Sequence, residues 1–177
     1  LPFSLTNDQE KAIEEIAKDQ KDSSRMFRLL QGDVGSGKTL VAFAAMLNAA
    51  EAGKQSAMMV PTEILARQHF KTLHSLGEKL GIKVCLLINH IKTSEKKEAL
   101  DAISNGSAQI VIGTQALFQN KVQFSNLGFV IADEQHRFGV DQRLALCNKG
   151  EEVDLLMMSA TPIPRTMSMV SFGDMDV

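Results

Sequence analysis

The chain has 177 residues, 44% apolar and 23% charged, enough for one soluble domain with a sizeable core and too few for two. A formal net charge of −2 leaves no overall basic footprint, so any nucleic-acid contact must come from local sites. No apolar run approaches the roughly 18 residues of a membrane span, no basic-then-apolar leader opens the chain, and Cys85 and Cys147 lack Cys-x-x-Cys spacing. These features predict a cytoplasmic protein without membrane contact, whose cysteines are free core thiols in a reducing compartment.

Strand and helix signals alternate along the chain, which predicts an α/β fold: a parallel sheet with helices on both faces, three layers in all. Thr6 and Gln9 have the spacing of a capping box and open a helix over about 7–20, with Ala12, Ile13, Ile16 and Ala17 on one face. A polar stretch ending at Arg25 precedes an apolar strand at about 26–31. That strand feeds the glycine-rich run Gly32 to Thr39 and a helix that stops at Gly53. Ser56 to Val60 reads as a buried strand. Pro61 and Thr62, the latter as cap, then start a helix that Gly81 ends. A strand at about 83–88, a helix at about 93–104, a strand at about 109–112 and a short helix after Thr114 follow. Leu127 to Ala132 is the next strand, Phe138 to Cys147 a helix, and Asp154 to Met158 the last strand, leading into Ser159, Ala160 and Thr161. Repeats and flexible linkers are absent, so residues 1–177 are expected to form one domain. The chain opens on Leu1 rather than Met and stops after Val177, which predicts a domain cut from a longer polypeptide.

Gly32, Asp33, Val34, Gly35, Ser36, Gly37, Lys38 and Thr39 complete the phosphate-loop pattern Gly-x4-Gly-Lys-[Ser/Thr]. The glycines allow the backbone to curl until several N–H groups aim at one anion, a geometry that a Cβ obstructs. Lys38 brings a point charge to the β/γ-phosphates, Thr39 brings a hydroxyl to Mg²⁺, and the following helix adds its positive end. The strand–loop–helix context that this motif requires is in place. A nucleotide therefore binds here.

Such a loop needs a carboxylate near its metal, at the end of a neighbouring strand. The apolar run Val130, Ile131, Ala132 ends on Asp133 and Glu134, where open α/β sheets bind ligands. Asp133 is assigned to Mg²⁺ and Glu134 to the attacking water, a division of labour that suits hydrolysis. His69 and His74 stand five residues apart, off a common helix face, and His136 has no partner at zinc-like spacing. Ser159 lacks a nucleophile-elbow context. Metal-centre and serine-triad chemistries are set aside.

Asp133, Glu134, Gln135 and His136 resemble the second motif of superfamily-2 helicases, and Ser159, Ala160 and Thr161 their third. With the phosphate loop, essentially the whole chain resembles the first RecA-like motor domain of such an enzyme. The runs Asp133 to Val140 and Ala160 to Thr166 are similar to those of bacterial ATP-dependent DNA helicases acting on branched DNA. Transcription-repair coupling translocases share several of these residues. Their second motif usually reads Asp-Glu-Glu-Gln, which Gln135 and His136 do not match.

The resemblance implies further roles. Gln9 stands where the family reads adenine, although its position also suits a capping glutamine. Pro61 and Thr62, with Arg67, Gln68 and His69 beyond, resemble a segment whose helix start contacts the nucleic-acid backbone; Glu63, repelled by phosphate, is read as a local cap or local partner. Gly113 and Thr114 resemble a second backbone-contacting motif. Gln135, His136, Ser159 and Thr161 resemble the link between ATP site and DNA path. Two positions depart from the family: Ile88-Asn89 replaces a usual Thr-Gly, with Asn89 expected to keep the turn through its tolerance of left-handed backbone, and Gln115 replaces a usual His.

Enzymes of this type complete the ATP site with arginines from a second RecA-like domain, and loss of such a finger costs about 10³ to 10⁵ in rate. That domain and an N-terminal wedge for forked DNA are expected outside these 177 residues. The chain alone is expected to bind Mg·ATP or ADP with little turnover. The intact protein is expected to translocate on double-stranded DNA and remodel stalled forks and Holliday junctions. Alternative readings are a transcription-repair coupling translocase and a non-motor phosphate-loop protein.

Overall fold

The computed structural model describes residues 4–32, 37–133 and 140–160. Its elements run α1 (Asn7–Lys21), β1 (Phe27–Gln31), α2 (Lys38–Glu51), β2 (Gln55–Met59), α3 (Glu63–Leu80), β3 (Val84–Leu87), α4 (Thr93–Asn105), β4 (Ile110–Gly113), a 3-10 turn (Gln115–Phe118), β5 (Leu127–Asp133), α5 (Val140–Cys147) and β6 (Asp154–Ser159). Each element falls within a few residues of its predicted position.

Local chemistry sets the ends. Thr6 caps α1 by accepting the Gln9 N–H while the Gln9 side chain accepts the Thr6 N–H, so the predicted capping box is formed in full. Thr62 caps α3, accepting from the Leu65 N–H at 3.2 Å. Gly81 ends α3 at φ +69, a left-handed conformation that any Cβ would strain.

The six strands are all parallel and ordered β1-β6-β5-β2-β4-β3. Alternation along the strands divides the core between two faces. Met58, Val60, Ile112, Ile131, Leu156 and Met158 pack beneath Ile16 of α1, Phe43 and Met46 of α2, and Ala66 and Leu73 of α3. Ala57, Met59, Val111, Val130, Ala132 and Met157 pack beneath Ala99 and Ile103 of α4, Leu117 of the 3-10 turn and Leu146 of α5. The expected three layers result. Fully buried side chains such as Phe43 and Phe129 each contribute about 1.5–3 kcal/mol of transfer free energy.

Buried polar groups act as cross-links. The Gln55 amide donates to the carbonyls of Ile103 and Ala108 and accepts from the Asn126 N–H at 2.9 Å, which ties β2 to the approaches of β4 and β5. The Lys149 ammonium donates to the carbonyls of Gln119 and Val122, and burial lowers its pKa. The cysteines depart from expectation. Cys85 and Cys147 are not joined in a disulfide but are only half-buried, because Cys85 lies on the edge strand β3 and Cys147 at the last turn of α5.

Candidate nucleotide site at the strand ends

Register brings the predicted motifs to one edge of the sheet. Gln31 lies opposite Ser159, Asp133 opposite Met158, and Met59 opposite both Ala132 and Gly113. The Gly32 N–H donates to the Ser159 carbonyl at 3.2 Å, and the Val60 N–H donates to that of Gly113 at 2.9 Å. Because every strand is parallel, these residues are all carboxyl-terminal ends, the side on which open α/β sheets hold ligands. Chain segments more than a hundred residues apart thus meet through ladder pairing.

Gly37 is the N-cap of α2 at φ +80, and among the described residues no side chain caps that helix. Its conformation turns the chain into the helix so that the positive end of α2 faces the loop. Lys38 and Thr39 occupy the first turn, both half-buried. The Lys38 ammonium donates to the Gly32 carbonyl at 2.5 Å. Asp33, Val34, Gly35 and Ser36 lie outside the described residues.

Gln9 reaches the same place from α1. Its Oε1 accepts the Thr6 N–H at 3.0 Å, while its amide nitrogen fills the space that a Cβ on Gly37 would need. The cap and the loop therefore share one side chain. A cleft of about 290 Å³ lies here, lined by Thr6, Gln9, Ala12, Gly32, Lys38 and Val41 among others. An uncapped helix start, a cation and a two-faced amide around one cleft fit a phosphate-bearing nucleotide.

Asp133 ends β5 and is partly buried, 14% exposed at its side chain. Its Oδ2 lies 3.1 Å from Nε2 of His69, itself 16% exposed. Sequence reasoning missed this partner. The signal was present: Ala66, His69 and Leu73 follow one another at three- and four-residue steps, so His69 belongs to the inward stripe of α3. Glu134, Gln135, His136 and Thr161 lie outside the described residues. Ser159 is 2% exposed at the end of β6, beside the start of the phosphate loop. Among the described residues no group of three or more His, Cys, Asp or Glu stands ready to hold a metal ion.

The residues predicted to contact nucleic acid are less uniform. Pro61 and Thr62 lead into α3 from the end of β2, with Thr62 exposed. Arg67, one helical turn on, donates from Nη2 to the His90 carbonyl at 2.7 Å. Glu63 corrects its expected role as a local cap: Thr62 is the cap, and the Glu63 carboxylate reaches 27 residues along the chain to the His90 ring at 3.0 Å and its N–H at 3.3 Å. Desolvation pushes the Glu63 carboxyl up, but the bonds and charge of His90 and the Asn89 N–H outweigh it, so its pKa falls below the ordinary value. Asn89 corrects a second expectation. Among the described residues only Glu152 is a non-glycine at positive φ, so the turn at 88–90 closes without left-handed asparagine. Side chains from α3 hold it instead.

Gly113 has a packing reason to be glycine, since a Cβ would strike the Leu87 carbonyl and come within 2.9 Å of Leu117 Cγ. Thr114 is 6% exposed, so it is buried at the start of the 3-10 turn instead of presented on the surface. A larger cavity, about 500 Å³, lies away from the strand ends between α3, α4 and the edge strand, lined by Phe70, Leu86 and Ile91. Size alone would choose it; the phosphate loop and Asp133 lie elsewhere.

The sequence relatives agree with this geometry. The model of the DEAD/DEAH box helicase family matches residues 6–170. Over all 177 residues the chain is 56% identical to the ATP-dependent DNA helicase RecG of Streptococcus pneumoniae serotype 4 and 53% identical to that of Bacillus subtilis strain 168, covering 26% of each. It is 55% identical to that of Thermotoga maritima, of which it covers 23%. A solved structure of RecG bound to a three-way DNA junction superposes with a TM-score of 0.85 at 50% identity, over 100% of this chain and 24% of that one. The DUF1998 helicase MrfA, 19% identical with a TM-score of 0.77, shares the fold. The chain spans about a quarter of the length of its curated relatives. Its fold is the RecA-like, three-layer parallel sheet of the phosphate-loop NTPases, and the chain belongs to the DEAD/DEAH box helicase family.

Proposed function

We propose that residues 1–177 form a single RecA-like motor domain that binds Mg·ATP in a cytoplasmic, ATP-driven translocase on double-stranded DNA, one that remodels branched structures such as stalled forks and Holliday junctions. The observation that carries this reading is the end-to-end similarity to RecG, including RecG bound to a three-way DNA junction. The meeting of phosphate loop, Asp133 and Ser159 at one sheet edge supports it independently.

In this reading Gly32 to Gly37 cradle the phosphates, and the Lys38 ammonium leaves the Gly32 carbonyl to meet them. Thr39 and Asp133 would hold Mg²⁺, which would supply positive charge against the phosphates. Glu134 orients the attacking water, and Gln9 reads adenine with its amide while its Oε1 caps α1. Ser159, bonded through its carbonyl to the loop, belongs with Thr161, Gln135 and His136 to the link with DNA. Pro61, Thr62, Arg67, Gly113 and Thr114 lie toward the DNA path. A second RecA-like domain of the same polypeptide supplies the arginines that complete the ATP site.

Nucleotide titration and turnover test this. Lys38→Ala is expected to abolish or greatly weaken nucleotide binding in the chain. Glu134→Gln in the intact protein is expected to retain binding and stop turnover. The chain alone is expected to hydrolyse ATP at least about 10³-fold more slowly than the intact protein on branched DNA. Robust DNA-stimulated turnover by the chain alone would refute the need for a second domain, and unchanged binding in Lys38→Ala would refute the phosphate-loop assignment.

A further inference from the structure

We propose that His69 is a positioning residue for the metal-binding carboxylate Asp133, setting how tightly Mg²⁺ is held with the nucleotide. The inference deepens the nucleotide-site reading above and rests on it.

Three observations carry it. Nε2 of His69 lies 3.1 Å from Oδ2 of Asp133, and both side chains are mostly buried, so the bond is shielded from competing water. Among the described residues this is the single side-chain partner of the carboxylate. The backbones that carry the pair are both rigid: Asp133 ends a strand flanked on either side by β2 and β6, and His69 sits in the second turn of an 18-residue helix whose inward stripe, Ala66 and Leu73, is fully buried.

A carboxylate at a strand end can rotate about its side-chain torsions, and each rotamer presents a different oxygen to the strand-end cleft. Fixing Oδ2 from the α3 side removes that freedom. The carboxylate is then held in one orientation before the metal arrives, and metal affinity gains because less order has to be imposed on binding. Structural stability alone does not require a histidine at this place. An apolar side chain would continue the stripe of Ala66 and Leu73, whereas the imidazole brings a polar atom to the one acidic group it can reach.

Helix α3 is also the element whose cap and first two turns carry Thr62, Glu63 and Arg67, and the last two are bonded to the loop at His90. His69 therefore joins Asp133 to the same rod that holds the 88–90 turn.

The test measures binding of a fluorescent ADP analogue to the full-length protein, with Mg²⁺ and with EDTA, for the parent, His69→Ala, His69→Gln, Asp133→Ala and Lys38→Ala. Glutamine places an amide nitrogen about as far from the backbone as imidazole Nε2, so His69→Gln keeps the bond to Oδ2 without the ring. In His69→Ala the Mg²⁺-dependent part of the affinity is expected to fall roughly 10-fold, the lower end of losses seen when the partner of a metal ligand is removed. His69→Gln is expected to restore most of it. If His69→Ala keeps the full Mg²⁺ increment while Asp133→Ala loses it, the inference is overturned and the nucleotide site stands. If Lys38→Ala binds like the parent, the reading of the site itself has failed. Should His69→Ala not fold, His69→Gln decides: a folded protein with none of the Mg²⁺ increment overturns the inference.

Discussion

The amide nitrogen of Gln9 occupies the space that a Cβ on Gly37 would fill, and Gly37 itself stands at φ +80. One glycine thus meets two demands, a left-handed turn into α2 and room for a side chain from α1. Alanine at Gly37 incurs a conformational cost of about 1–2 kcal/mol and displaces the Gln9 amide. Gly37→Ala is expected to lower the thermal midpoint accordingly and to weaken nucleotide binding at least about tenfold. Adding Gln9→Ala relieves the collision and leaves the backbone strain. The double variant should therefore be destabilised by less than the sum of the two single variants, as read by denaturation of all three.

Gln9 serves α1 and the cleft at once, and substitution can separate the two. Glutamate at this position still accepts the Thr6 N–H, so Gln9→Glu keeps the capping box and removes only the amide donor. Alanine removes both. If Gln9 reads adenine, Gln9→Glu is expected to retain stability while its preference for ATP over GTP falls by roughly tenfold, the worth of one such hydrogen bond. Gln9→Ala should lose the preference and some helix stability together. Full discrimination in Gln9→Glu would leave Gln9 as a cap and nothing more.

Gly113 tests whether a residue in a DNA-contact motif is there for packing. A Cβ would meet the Leu87 carbonyl across the β3–β4 ladder, a backbone atom that cannot move without breaking pairing. Gly113→Ala is expected to cost about 1–3 kcal/mol, seen as a lower urea midpoint with unchanged slope. An unchanged midpoint would contradict the packing account and return Gly113 to a role in recognition.

The fold was legible because its punctuation is local. Thr6 with Gln9, Thr62, Gly53 and Gly81 announce element ends within a few residues of themselves, and apolar alternation does the rest. The phosphate loop and Asp133 were legible for the same reason, as short motifs at strand ends. What escaped depends on strand order. Glu63 and His90 are 27 residues apart, and His69 and Asp133 are 64 apart. No periodicity along the chain encodes either meeting. They follow from the strand order, in which α3, packed on β4 and β3, lies beside the turn after β3 and brings His69 within reach of the end of β5. The turn at Asn89 was misjudged similarly: backbone preference was considered, and the clamp from α3 was not visible.

That clamp predicts a pH dependence. Glu63 accepts from the His90 ring and N–H, and Arg67 donates to the His90 carbonyl, so both polar ends of this peptide segment are tied to α3. Desolvation acts against ionisation of Glu63, yet the bonds from His90 and Asn89 prevail and hold its carboxyl below the ordinary value of 4.5. A depressed carboxylate pKa means that the unfolded or released state takes up its proton first on acidification. The clamp is therefore at full strength above about pH 4.5 and weakens as pH falls through that value toward the lower pKa of the clamped state. Because His90 is 87% exposed at its side chain, the effect is expected in local opening of the 88–90 turn and not in global unfolding. Amide exchange measures it directly: protection of the His90 N–H should drop as the pH falls below about 4.5. In Glu63→Gln an acceptor remains but the titrating charge does not. Its protection should start lower and show no acid step, and a step of parental size in that variant would assign the titration to a group other than Glu63.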